Sequence, residues 1–314
     1  MNVINAPKLR TLIPRFGPLH SSSDAVGTIR WWSGGYQLKL SDIRHGHAAH
    51  TFREHALHYA RAVLECSRRM PFAAAFILLI TALIGIHSAP AAELQYFDVE
   101  HEKLAAYVPT PVPADGYALL VFIPPWENAR LPRGWGPMLE RYQMIYVTAA
   151  RSGNSASVVG RREVLALLAA GTMMARYSVN PMRVYVGGFS GGSRVAMRLA
   201  VAHPEVFHGT LLNAGSDPIG DADFPLPAPE IFARVQESSR IVYLSGENDS
   251  VNTEKDAQSA ASLHRRCVFD TYTEVIPWTG HEVAGPSAFE RALDALSKHV
   301  PPDPQKLRAC RDRQ

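Results

Sequence analysis

Residues 183–200 read Arg-Val-Tyr-Val-Gly-Gly-Phe-Ser-Gly-Gly-Ser-Arg-Val-Ala-Met-Arg-Leu-Ala. Val184, Tyr185 and Val186 make a short β-branched and aromatic run, the pattern of a strand buried on both faces. From Gly192 onward the residues turn helical, with apolar positions about one turn apart. Between them stands Gly188-Phe189-Ser190-Gly191-Gly192, a G-x-S-x-G sequence. A sharp strand-to-helix turn needs small residues on both sides so that the serine backbone can adopt a strained conformation. The hydroxyl is then raised above the sheet at the positive end of a helix. A glycine-rich turn with a helix-capping serine is the bland reading. The strand before and the helix after favour a nucleophile at Ser190.

Outward from this turn the same alternation continues. Tyr117 to Ile123, Met144 to Thr148, Gly209 to Leu212 and Arg240 to Leu244 are short apolar runs, and Cys267 to Ile276 is a further strand candidate. Helical patterns fill Arg161 to Tyr177, Gly192 to Ala202, Glu254 to His264 and Pro286 to His299. Leu94 to Val108 reads as an antiparallel edge. Strand–helix alternation predicts an α/β fold, a three-layer sandwich around a mostly parallel sheet with right-handed crossovers and no large cap domain. The Pro-rich stretch Asp217 to Pro229 is expected to be a loop that shapes a pocket wall.

A serine hydroxyl needs a base, and the base needs an orienting acid. On this kind of sheet the order expected along the chain is serine, acid, histidine. His281 lies in Trp278-Thr279-Gly280-His281, between a strand and the last helical pattern, where an imidazole can reach Ser190. His203, His264 and His299 fall within or near helices and read as surface or packing positions. The acid should follow the strand Arg240 to Leu244, where Ser245-Gly246-Glu247-Asn248-Asp249-Ser250 offers Asp249, with Glu247 as its rival; a turn or helix cap is the bland role of Asp249. The amide of Gly191 is one candidate oxyanion donor. The second should come from the loop after Ile123. Pro124 and Pro125 have no amide hydrogen, so Trp126 is the first residue able to donate. Trp278 and Asn154 are candidate substrate contacts.

The stretch Asn180 to Phe207, N-P-M-R-V-Y-V-G-G-F-S-G-G-S-R-V-A-M-R-L-A-V-A-H-P-E-V-F, resembles secreted bacterial α/β-hydrolases of the polyhydroxybutyrate-depolymerase and feruloyl-esterase type. Gly280-His281 and the G-x-x-D that starts at Gly246 match the same pattern. The resemblance implies an α/β-hydrolase fold and a serine esterase working through an acyl-enzyme, without metal or organic cofactor. It departs at Pro124-Pro125, where that group carries His-Gly. A serine peptidase, an acyltransferase and a non-catalytic binding protein on a hydrolase scaffold are the alternatives. A small or polymeric ester is the expected partner.

Upstream, Phe72 to Ile86 is uncharged and apolar, preceded by Arg68 and Arg69 and followed by Ala89-Pro90-Ala91. Fifteen residues are few for a membrane span, which needs about 20. Basic flank, apolar core and small-residue site together read as a secretory signal peptide over 70–91. Two readings follow: translation starting at Met70, with 1–69 an extension that is disordered or not translated, or an uncleaved anchor over 72–86 with the body outside. The first is favoured, because 1–69 has little periodicity. The domain is then 92–314, periplasmic or secreted. His45, His47, His50, His55 and His58 have partly helical spacing, yet no thiolate or carboxylate set accompanies them, so no metal site is expected. Cys267 and Cys310, the two cysteines downstream of that site, are expected to form a disulfide in an oxidising compartment.

The 314 residues are 46% hydrophobic and 19% charged, which excludes a disordered or collagen-like chain. The net charge of +3 is uneven: residues 1–69 carry 10 Lys and Arg against 4 Asp and Glu. The rest is mildly acidic, so the body is not a nucleic-acid binder.

Overall fold

A computed structural model describes residues 93–314. The extension, the segment 70–91 and the histidine cluster lie outside the described residues. The eight strands are β1 (Leu94–Val99), β2 (Glu102–Tyr107), β3 (Tyr117–Ile123), β4 (Met144–Ala149), β5 (Val179–Phe189), β6 (Gly209–Asn213), β7 (Arg240–Gly246) and β8 (Thr271–Ile276). They form one sheet in the order β1-β2-β4-β3-β5-β6-β7-β8. β1, β2 and β4 pair antiparallel. Every pairing from β4 through β3 to β8 is parallel. The stretch read as one edge is a hairpin, turned by Glu100 and His101 at positive φ.

Among the described residues seven α-helices accompany it: α1 (Gly136–Tyr142), α2 (Glu163–Arg176), α3 (Gly191–Ala202), α4 (Pro229–Ser238), α5 (Ser250–Arg265), α6 (Pro286–Ser297) and α7 (Pro304–Arg311). A π-helical turn, Val158–Arg162, leads into α2. The alternation along β3 shows why the sheet needs two helical layers. Tyr117, Leu119, Val121 and Ile123 enter one core with residues of α2, α3, α4 and α5. Ala118, Leu120 and Phe122 enter the other, with Leu139 of α1 and Phe289, Leu293 and Leu296 of α6. Adjacent residues on a strand face opposite ways, so both sets are withdrawn from water only if each face is covered. Trp135 is fully buried and stacks on Phe289 with ring centroids 3.6 Å apart.

One expectation needs correction. Cys267 to Asp270 is not strand; β8 starts at Thr271. Cys267 has φ 64° and the Val268 amide returns to the Leu263 carbonyl, so the chain is still closing α5 there. The Pro-rich loop does shape a pocket wall, at its far end. Ile219 and Phe224 are buried in the core beside α3. Asp221 folds the loop by accepting from the amides of Asp223 and Phe224. Its end, at Leu226 and Pro227, lines a cavity of about 460 Å³ with Phe232 and Arg311, a cavity without Ser190, Asp249 or His281. Cys267 and Cys310 form a disulfide, Cα–Cα 5.9 Å, that fastens α7 to the end of α5. Among the described residues no helix is long and apolar enough to cross a membrane.

Candidate active site

β5 runs straight into Ser190, whose φ of 56° and ψ of −123° lie where side chains are disfavoured. Its neighbours hold it there. The Ser190 amide donates to the Asn213 carbonyl at the end of β6, at 2.8 Å. A Cβ on Gly192 would lie 1.9 Å from the Ile123 carbonyl oxygen, so only glycine lets α3 start against the end of β3. The serine hydroxyl therefore stands at the carboxyl end of the central strands and at the amino end of α3.

His281 Nε2 lies 2.9 Å from Ser190 Oγ. Its Nδ1 lies 2.6 Å from Asp249 Oδ2. With the Nδ1 proton donated to the carboxylate, Nε2 is free to accept from the serine hydroxyl. Asp249 occupies the cap position of α5 but caps none of its amides; the side chain turns to the imidazole instead. Glu247, the rival acid, accepts from the Trp278 amide at 3.0 Å and faces away from this role. The loops carrying acid and imidazole are joined by Glu247 N–H to Ile276 O and Asn248 N–H to Thr279 O, both 2.9 Å. A Cβ on Gly246 would lie 2.2 Å from the Thr279 oxygen, so this approach also requires glycine. The Phe189 ring lies 5.0 Å from the imidazole, backing it on one side.

Burial works against the charge on Asp249, yet hydrogen bonds from His281 and Asn252 outweigh it and hold the carboxyl below its usual pKa. Asn252, which the sequence reading missed, donates to Asp249 Oδ1 and Oδ2 at 2.9 and 2.8 Å. Its own oxygen accepts from Arg194, which also binds Asp217 at 2.7 Å. The signal was its spacing, one turn after Asp249 at the start of a helix. Behind this layer Asp256 is 1% exposed and accepts from Ser216 and Ser245, each at 2.6 Å. Burial, helped by the nearby Asp249 charge and opposed by the two hydroxyls, pushes it up to about 6.

Arg162 was also missed. It is 3% exposed and donates to three backbone oxygens: Ser152 at 2.8 Å, Pro124 at 3.0 Å and Gly191 at 3.3 Å. One guanidinium thus ties the loop after β3 to the residue after the serine. Because its partners are carbonyls, no sequence pattern marks it. The Trp126 amide makes no hydrogen bond among the described residues, and Gly191 opens α3, so its amide has no acceptor within the helix. The Trp126 ring is held by Phe122, Phe189 and the Arg130 guanidinium, at 6.4, 6.3 and 4.4 Å. Asn154 lies against the serine turn, its Oδ1 2.3 Å from where a Cβ on Gly191 would be. Trp278 is 89% exposed at φ 58°. Among the described residues no three His, Cys, Asp or Glu side chains are grouped to hold a metal ion.

No protein-family model matches the chain, and no curated protein matches it by sequence. Solved structures do. A fluorophosphonate-binding serine hydrolase F of Staphylococcus aureus, substrate bound, is 9% identical over 67% of this chain and 99% of its own, with a TM-score of 0.52. An S-formylglutathione hydrolase of Staphylococcus aureus is 11% identical over 66% and 96%, with a TM-score of 0.50. The chain has the α/β-hydrolase fold. A thermostable esterase is also similar, at 15% identity and a TM-score of 0.47 over 66% of this chain; the match spans 62% of that protein's length. In this chain the turn after β5, the loop after β7 and the loop between β8 and α6 carry Ser190, Asp249 and His281 to one place.

Proposed function

We propose that the chain is a serine hydrolase of carboxylic esters, with Ser190 as nucleophile, His281 as general acid and base, and Asp249 as the acid that orients it. The observation that carries this reading is the continuous relay Ser190 Oγ, His281 Nε2, His281 Nδ1, Asp249 Oδ2, with steps of 2.9 and 2.6 Å. Ser190 Oγ attacks the ester carbonyl as its proton passes to Nε2. The imidazolium is stabilised by Asp249 and hands that proton to the leaving alcohol. The amides of Gly191 and Trp126 take the negative charge that develops on the carbonyl oxygen. Water, deprotonated by His281, then releases the acid and restores the serine.

The His281 side chain is 45% exposed, so water reaches the acyl-enzyme freely. This favours hydrolysis over transfer to a second acceptor. The Cys267–Cys310 disulfide, with the sequence of 70–91, supports a site of action outside the cytoplasm. Two measurements on purified protein test the function. A fluorophosphonate probe should label the protein and fail to label Ser190→Ala, and a short-chain 4-nitrophenyl ester should be turned over. An unlabelled, inert wild type would refute the proposal.

A further inference from the structure

A cavity of about 430 Å³ has two walls that lie close along the chain to residues of the candidate site, although Ser190, Asp249 and His281 do not themselves line it. One is Trp126, whose amide is the proposed second oxyanion donor. The other is Val283, Ala284 and Gly285, beginning two residues after His281. That volume lies within the range of small-molecule sites. Its rim carries Arg130 and Arg133. Neither enters any of the ion pairs among the described residues. The guanidinium carbon of Arg130 lies 4.4 Å from the centroid of the Trp126 ring, a cation–π contact that uses no N–H donor in an ion pair.

The backbone under both cations is fixed. The Arg130 carbonyl accepts from the Tyr146 hydroxyl at 2.8 Å. Trp135, fully buried, donates its amide to the Pro132 carbonyl and its indole N–H to the Ala284 carbonyl. The last bond joins the arginine loop directly to the opposite wall. Two forked cations on a rigid loop bind a carboxylate without first having to order the loop. An unpaired arginine pair on a protein whose body is net acidic is also a local attraction for anions.

We infer that this cavity receives a carboxylate-bearing part of the substrate, so that the preferred substrates are anionic esters, with Arg130 and Arg133 as the carboxylate's partners. The inference rests on the esterase reading of the Ser190 site. It is tested with two pairs of esters: 4-nitrophenyl hemiglutarate against 4-nitrophenyl valerate, for an anionic acyl part, and 4-acetoxybenzoate against 4-methylphenyl acetate, for an anionic alcohol part. The readout is the ratio of kcat/KM, anionic over neutral, in wild type and in Arg130→Gln/Arg133→Gln; intrinsic reactivity cancels in that comparison. At least one ratio should fall about tenfold or more in the double variant. Arg130→Lys/Arg133→Lys should keep part of the preference, because charge remains but the fork does not. The wild-type ratio should also fall as sodium chloride is raised. Ratios that are the same in wild type and variant, with esters still hydrolysed, overturn this inference and leave the esterase reading standing. Absence of turnover of all four esters, with no fluorophosphonate labelling, overturns both.

Discussion

Asn252 donates its amide to both oxygens of Asp249, the carboxylate that faces His281 Nδ1. The acid is thus held by a neutral group that sits beside the imidazole, with Asn252 Nδ2 3.1 Å from His281 Nδ1, and stays ionised although only 8% of its side chain is exposed. Glu247, two residues earlier, is occupied with the turn at Trp278.

Asp249→Asn should therefore lower kcat by about 10⁴, since an amide at that place favours the wrong imidazole tautomer. Ser190→Ala or His281→Ala should cost about 10⁶. Glu247→Gln should stay within about tenfold of wild type, as a side-chain oxygen remains to accept from the Trp278 amide. Steady-state kinetics on one activated ester would compare all four. An inactive Glu247→Gln beside an active Asp249→Asn would reverse the assignment of the acid.

Replacing Arg162 removes three hydrogen bonds to carbonyls beside the serine turn. Arg162→Met should destabilise the fold by about 3 kcal/mol, because each buried acceptor left unpaired costs about 1–3 kcal/mol and water or relaxation recovers part. It should also reduce kcat more than it raises KM, since the loop bearing the Trp126 amide and the residue bearing the Gly191 amide lose their common tie. Urea melts and Michaelis curves on the same preparation separate the two effects.

Asp256 makes stability depend on pH in a defined direction. Its pKa is raised by burial from 3.8 to about 6, so between these values the folded protein binds more protons than the unfolded chain. Stability must then fall as pH rises through that window and level off above about 6, a loss of about 2–3 kcal/mol from this group. Asp256→Asn lacks that loss. Its stability relative to wild type should rise by about 2 kcal/mol between pH 4.5 and 7.5. An unchanged difference across that range would mean that Asp256 titrates normally.

The disulfide closes a sequence separation of 43 residues. In the chain-entropy treatment such a link is worth about 4 kcal/mol. Cys310→Ser should lower the thermal midpoint by several degrees and leave kcat on a small ester intact, because α7 and the end of α5 contribute no group to the relay. A reductant should reproduce the shift in wild type and have no effect on the variant.

The sheet and the three side chains that meet at its end were legible because their signals are local. The apolar runs of β3 to β7 are buried on both faces, and hydrophobic continuity marks such strands. Ser190, Asp249 and His281 each sit just past a strand, flanked by glycines or turn residues, and the chain order of the three is fixed by the topology. What the sequence hid depends on partners far along the chain. Arg162 binds carbonyls, which every residue has. Arg130 and Arg133 look like any exposed pair until the cavity beside Trp126 is seen. α1, α4 and α7 have 7, 10 and 8 residues, each starting at or beside a proline, so little helical period accumulates before each ends. The two apolar anchors of the Pro-rich loop, Ile219 and Phe224, are too widely spaced to show a pattern, so their place in the core was hidden as well.

The positive φ of Ser190 has a consequence for any effort to make this molecule more robust. Glycine tolerates that backbone shape at no steric cost, whereas a side chain there carries strain on the order of 1–3 kcal/mol. Ser190→Gly should thus outlast the parent in heat while doing no chemistry. Selection for thermal endurance alone would drift toward that inert protein, so each round of such an improvement has to be scored for turnover as well.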